Sequence, residues 1–334
     1  MNYLSCILAF CAAPAFADIP TLKTIVEGHI LPKFEALADT TDVLAQAAAN
    51  DCRPKSSALQ AAYRTAFDAW ISASHLRFGP TEEDDRGFAL AFWPDGRGAT
   101  PRSLSNLIAN EDPIALSAAS YADVSIAARG FYALEFLLYD ETLMAAGTPA
   151  YHCALVQTVA KDIAATSASI LAGWQGAFLT QILKPSQTGR YRTVQEALQS
   201  LFKALTTGLQ FTSELRLGIP LGTFDRPRPK LAEARRSGRS ARHVRLSLVS
   251  LRDFAILLCG DNPALAKGLQ QQFDETLSRL ADMDDPKLAG VGTPQSRLRI
   301  EIIQHSVEAI RVDIEQLLGR HLGVIAGFNS LDGD

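Results

Sequence analysis

Apolar residues recur at three- and four-residue steps along most of this 334-residue chain, a period that leaves little room for anything but helices. Tyr63, Phe67, Trp70, Ile71 and Ser74 mark one such face; Ile300, Ile303, Val307, Ile310, Ile314 and Leu317 mark another. Few runs alternate or are rich in β-branched residues, so strands have no good place. The spacing predicts helices near 20–50, 56–76, 122–141, 150–172, 191–217, 239–259, 261–283 and 295–318. Arg53-Pro54, Thr148-Pro149, Gly218-Ile219-Pro220 and Thr293-Pro294 supply several of the edges. The helices fall into two sets of four, divided between Ala172 and Tyr191 where Gly173, Gly176, Pro185 and Gly189 cluster. Four antiparallel helices with apolar faces can close a core. The expected fold is therefore all-α, with two four-helix-bundle-like halves at 18–175 and 190–334. Arg77 to Tyr121 is too long for a simple helix–helix connection, and an ordered excursion of that length is often functional. Leu217 to Ser240 is a second irregular segment, rich in Pro, Gly and Arg.

The first residues follow different rules. Met1 to Ala17 carries no charge, is apolar from Tyr3 to Ala13, and ends Ala15-Phe16-Ala17. That pattern predicts a signal peptide over 1–17, cut before Asp18, and export to the periplasm. Pro14 and Pro20 argue against a packed first helix in its place. Cys52, Cys153 and Cys259 remain after cleavage, an odd count that cannot be a complete disulfide framework. Cys52 and Cys153 each precede a predicted helix and could be bridged in an oxidising compartment; Cys259 reads as a buried apolar residue. No later segment offers the roughly 18 apolar residues of a membrane span. A net charge of −4 gives no reason to expect a nucleic-acid partner.

The segment Ala122 to Asp140 is apolar almost all round, yet a helix there would align Ser125, Arg129, Tyr132, Glu135 and Tyr139 on one stripe. An ionised glutamate in such a place costs several kcal/mol unless it is paired, hydrogen-bonded or bound to a cation. Glu135 therefore needs a partner. Either the stripe is an internal polar network, or Tyr132 and Glu135, three residues apart, share one ligand.

Gly130-Phe131-Tyr132-Ala133-Leu134-Glu135 resembles the glycine, histidine, glutamate motif of the imelysin-like family. Phe92-Trp93-Pro94-Asp95, the stretch from Glu214 to Leu221 and the ending from Gly327 to Asp334 resemble the same family, in the same order. The resemblance implies an exported protein of two helical bundles, associated with bacterial iron uptake or iron response. It implies iron or another divalent metal, or a small metal-bearing ligand, as the bound species, and an iron-uptake partner at the membrane. The family's label is peptidase, though its site is better described as a metal or ligand site. Tyr132 stands where the family has its motif histidine, and a phenol is a poorer ligand than imidazole for most divalent metals. Glu135 carries over directly.

His75 lies four residues beyond Ile71 on the packed side of its helix, and its neighbours Arg77, Phe78, Gly79 and Pro80 also resemble a family segment. Glu135, Tyr132, His75 and Arg77 are thus the expected ligand-binding residues. Glu135 and His75, with Asp332 from the C-terminal oxygen donors, are the expected metal ligands. His305 and Glu308 repeat the motif spacing but fall opposite the core stripe, where ion pairs with Arg311 explain them. The basic run from Arg226 to Arg245 contains one acid, Glu233, and reads as a solvated or interbundle ion network, or an anion site. No zinc-protease helix, nucleophile elbow or phosphate loop occurs. Three readings follow: a non-catalytic binding protein of iron acquisition, a metal-dependent peptidase, or an interaction module with a buried polar network.

Overall fold

A computed structural model of the chain describes residues 19–325. The expected signal peptide and Asp332 lie outside the described residues. Helix α1 (Ile19–Ile25) runs through one π-helical turn into α2 (Leu31–Asn50). The face of α2 carrying Phe34, Leu37, Thr41, Leu44 and Ala48 is buried, the helical period expressed as packing. It lies against α3 (Ser57–Ala73) and the long α6 (Pro149–Gln175), with α4 (Ala99–Asn110) and α5 (Gly130–Tyr139) completing the first half. Helix α7 (Ala177–Leu183) leads to the second half: α8 (Val194–Gln210), α9 (Ser240–Leu258), α10 (Pro263–Ala281) and α11 (Pro294–Asp313). Capping residues set several starts. Ser56 accepts from the Leu59 N–H, and Thr148, just before Pro149, accepts from Tyr151 N–H. No helix among the described residues is long and apolar enough to cross a membrane.

Two features join distant parts of the chain. Cys52 and Cys153 form a disulfide, 101 residues apart, that ties the α2–α3 link to the start of α6. Cys259 is buried and free. Helix α9 crosses onto α3, so one apolar core runs through both halves. Each fully buried Leu, Ile or Phe along that core contributes about 1.5–3 kcal/mol. At the join, Ser250 Oγ donates to the Ser72 carbonyl at 2.6 Å, and Arg239 and Arg242 both pair with Asp68.

The predicted helix 122–141 is corrected by the structure. It starts only at Gly130, and Arg129 before it is extended. Gly130 has φ +75°, and a Cβ there would run into the carbonyls of Ala89 and Leu90, so the motif glycine is demanded by a close backbone approach. Ser125 and Arg129 therefore leave the supposed stripe, and Arg129 pairs with Asp162 instead, at 2.7 Å. The 77–121 excursion is ordered by short turns and by α4, whose first N–H groups, Ala99 and Thr100, are capped by Asp95 at 2.8 Å each.

Candidate functional site

Helix α5 presents Tyr132 and Glu135 one turn apart, and both are buried. Glu135 Oε1 accepts the backbone N–H of Ser237 at 2.8 Å and its hydroxyl at 2.7 Å. Oε2 has no hydrogen-bond or ion-pair partner among the described residues, and the side chain lines an open cleft of about 550 Å³. Burial raises the Glu135 pKa, against the pull of the two Ser237 hydrogen bonds and of Arg236.

The Tyr132 hydroxyl reaches into a buried charged network. Its hydroxyl donates to Glu233 Oε1, and Arg216 Nε donates to Glu233 Oε2 at 2.8 Å. The Arg216 guanidinium is fixed further by Ser247 at 3.1 Å and Ser74 at 3.2 Å. His243 Nδ1 lies 3.2 Å from Glu233 Oε2, off the line of a hydrogen bond. Burial works against the Glu233 carboxylate, but Arg216, His243 and Tyr132 outweigh it and hold its pKa at about 2. Burial, then the neighbouring Glu233, pushes the Tyr132 phenol far up, so it stays a neutral donor.

His75 and Arg77 meet Tyr132 at a separate chamber of about 60 Å³. His75 Nε2 is 3.0 Å from His29 Nε2, with Phe254 stacked on His29 at 4.7 Å. One ring must donate and the other accept, so the two cannot both be charged. Burial accordingly lowers both pKa values. Arg77 is paired with Glu82 and lies over the Phe88 ring at 4.7 Å. Tyr132 thus separates two cavities, sharing the chamber with His75 and Arg77 and the cleft with Glu135. His75 lines the chamber and Glu135 the cleft. The described residues contain no group of three His, Cys, Asp or Glu that could hold a metal ion. The donor set fits direct coordination badly: Glu233 is neutralised by Arg216, His75 is spent on His29, and Glu135 is held by Ser237.

Sequence reasoning left out Arg216, Glu233 and Ser237. The signal for Glu233 was present, since it is the lone acid of the basic run. That run divides by function. Arg239 and Arg242 bridge to Asp68, while Arg236 pairs with Asp140 at 2.9 Å and sits 3.6 Å over the Phe136 ring. Arg228, Lys230 and Arg235 line the cleft without an ion-pair partner among the described residues. Burial, then Arg236, lowers the Arg235 pKa. Phe92, Trp93 and Pro94 line the same cleft, with Trp93–Pro94 in the cis form. His305 is exposed, and Arg311 pairs with Glu308 and Glu315, as expected of a face opposite the core stripe.

An all-helical protein of two joined bundles, with a polar cleft against the helix that carries the Gly130–Glu135 motif, is the class this architecture defines. The imelysin family model, which carries a peptidase label, matches residues 30–313, and the chain belongs to that family. The fold is similar to the crystal structure of an imelysin-like protein from Psychrobacter arcticum 273-4, with a TM-score of 0.79 and 20% identity, over 95% of this chain and 100% of that one. It is also similar to a protein from Parabacteroides distasonis ATCC 8503, provisionally named an iron-regulated protein A precursor. There the TM-score is 0.75 and the identity 12%, over 92% of this chain and 96% of that one. No curated protein matches the sequence.

Proposed function

We propose that this chain is an exported, non-catalytic binding protein of iron uptake, which captures a metal-bearing ligand in the cleft beside α5 and delivers it to a partner at the membrane. The observation that carries this reading is the cleft itself. Its volume of about 550 Å³ lies in the range of small-molecule sites, and Trp93, Tyr132 and Phe136 give it aromatic walls. Each acid that lines it is already committed, Asp95 to the start of α4 and Glu135 to Ser237, which favours recognition over water activation. A peptidase would need a complete ligand set and an open coordination position. The Cys52–Cys153 bridge supports an oxidising compartment, and so does the leader-like start. The iron-regulated name of the Parabacteroides relative supports the metal.

Calorimetric titration of the chain from Asp18 onward, with ferric citrate against bare ferrous and zinc ions, tests the proposal. One chelate bound per chain, with no comparable binding of bare ions and no peptide cleavage, is expected. Stoichiometric binding of a bare ion that Glu135→Gln abolishes in a folded protein would return the site to direct coordination.

A further inference from the structure

We infer that the cleft recognises its ligand as a small polyanion, gripping carboxylate or phosphate oxygens with Arg228, Lys230 and Arg235. This deepens the reading above and rests on it for the site, but its physical argument is separate.

Three cations share one wall, and none has an ion-pair partner among the described residues. Like charges so placed repel, and an anion between them relieves that repulsion. The wall is also built rather than frayed. Arg235 Nε donates to the Lys230 carbonyl at 2.7 Å, which fixes the guanidinium fork, and its terminal nitrogens have no partner among the described residues. The turn that carries it is pinned by Ser237, bound at once to Glu135 and to the Ala234 carbonyl, at 3.1 Å for the latter. Ala234 itself is held at φ +47°, a conformation an alanine keeps only when its surroundings impose it. Arg236 does not compete for the ligand, since Asp140 and the Phe136 ring already hold it.

Two further features fit an oxyanion rather than a cation. The cleft's own acids are withdrawn: both oxygens of Asp95 take backbone N–H groups at 2.8 Å, and Glu135 Oε1 takes two bonds from Ser237. The remaining oxygen, Glu135 Oε2, belongs to a carboxyl that burial keeps readier to hold a proton than an ordinary glutamate. In its acid form it donates to an oxyanion and would repel none. Bare metal ions, by contrast, would meet a wall of their own sign. Arginine-rich, geometrically fixed sites of this kind suit carboxylate and phosphate groups, which accept two parallel N–H bonds.

The test uses metal-free citrate, pyrophosphate and ferric citrate as probes, titrated at low and high salt into the wild type, Arg228→Ala and Arg235→Ala. Arg228 is exposed, so its variant tests the charge without threatening the fold, and thermal unfolding verifies both. Metal-free citrate or pyrophosphate should bind, about tenfold or more weakly in each variant, and more weakly at high salt. Whichever of the two binds more tightly identifies carboxylate or phosphate as the source of the charge. If metal-free anions bind in this way and ferric citrate does not, the polyanion inference stands and the iron-bearing reading falls. Ferric citrate binding that is indifferent to salt and to both substitutions would overturn the polyanion inference and leave the iron reading in place. No binding of any probe by the folded protein overturns both.

Discussion

Ser237 hydrogen-bonds the Glu135 carboxylate twice, through its backbone N–H at 2.8 Å and its hydroxyl at 2.7 Å. The pair links the middle of α5 to the turn on which Arg235 and Arg236 sit, so the motif glutamate acts first as an anchor for the basic wall. A buried carboxylate in a family motif invites a metal; here its visible partners are donors of hydrogen bonds.

Ser237→Ala removes one of the two bonds and leaves the backbone one. A loss of about 1–3 kcal/mol is expected, as for a hydrogen bond to a buried, charge-capable group. Chemical denaturation of the two proteins side by side measures it. Glu135→Gln should stay folded, because the amide oxygen still accepts from Ser237. The Glu135 pKa is raised by burial, so the folded chain holds that proton more tightly than the unfolded one. Wild-type stability from this group is full below the ordinary glutamate pKa and falls as pH rises through the folded value. The variant lacks that loss and should gain on the wild type as pH rises above the ordinary glutamate value of 4.5.

Glu233 behaves in the opposite sense. Its folded pKa of about 2 lies below the ordinary value of 4.5, so its contribution is present above pH 4.5 and disappears as pH falls towards 2. That span corresponds to roughly 3 kcal/mol. Arg216→Met leaves a buried carboxylate without its main partner and should cost about 3–5 kcal/mol at neutral pH. Tyr132→Phe removes only one donor, should cost about 1 kcal/mol, and should shift the acid-unfolding midpoint upward. A Tyr132→Phe protein whose acid limb superimposes on the wild type would mean that the Tyr132–Glu233 bond is absent in solution.

The helical frame was legible because α2, α3 and α9 each bury one face, and a buried face writes its period into the sequence. The same reasoning overran at 122–129. Ala127 and Ala128 there are buried in a short turn, and burial without a continuous helix looks like helix until the φ of Gly130 is known. Glu135 was readable as a group in need of a partner. The partner itself, 102 residues away in a loop, was not, since side-chain pairing across a fold leaves no periodic trace. Asp68 with Arg239 and Arg242 is a milder case: the basic run suggested an interbundle ion network, but nothing in the spacing singled out Asp68 as its acid.

The Cys52–Cys153 bridge closes a span of 101 residues. In the chain-entropy view, a crosslink of that length restricts the unfolded chain by several kcal/mol, with about 2–5 kcal/mol typical of removing a native bridge. Reduction, or a Cys52→Ser and Cys153→Ser double variant, should lower the melting temperature measurably. The fold should survive, since the α2, α3 and α6 faces stay packed. An unchanged melting temperature in the double variant would mean the bridge does not form in the folded protein.

The His29–His75 contact makes the sharpest pH prediction. Two imidazoles whose Nε2 atoms sit 3.0 Å apart can share one proton between them but not two, and Phe254 offers no charge to compensate a second. Burial first, then the neighbouring charges, lowers both pKa values. The unfolded chain therefore binds more protons than the folded one below about pH 6.5, and stability is lost as pH falls from there. Two such groups set a limiting slope of about 2.7 kcal/mol per pH unit, to which buried His243 adds in the same direction. His75→Leu alone strands the His29 nitrogen and should cost about 1–3 kcal/mol at neutral pH. The His29→Leu, His75→Leu double variant removes both polar groups together. It should recover part of that cost at pH 7.5 and lose much less stability than the wild type between pH 6.5 and pH 5. Parallel stability–pH curves for wild type and double variant would show that the pair is not buried and neutral as drawn here.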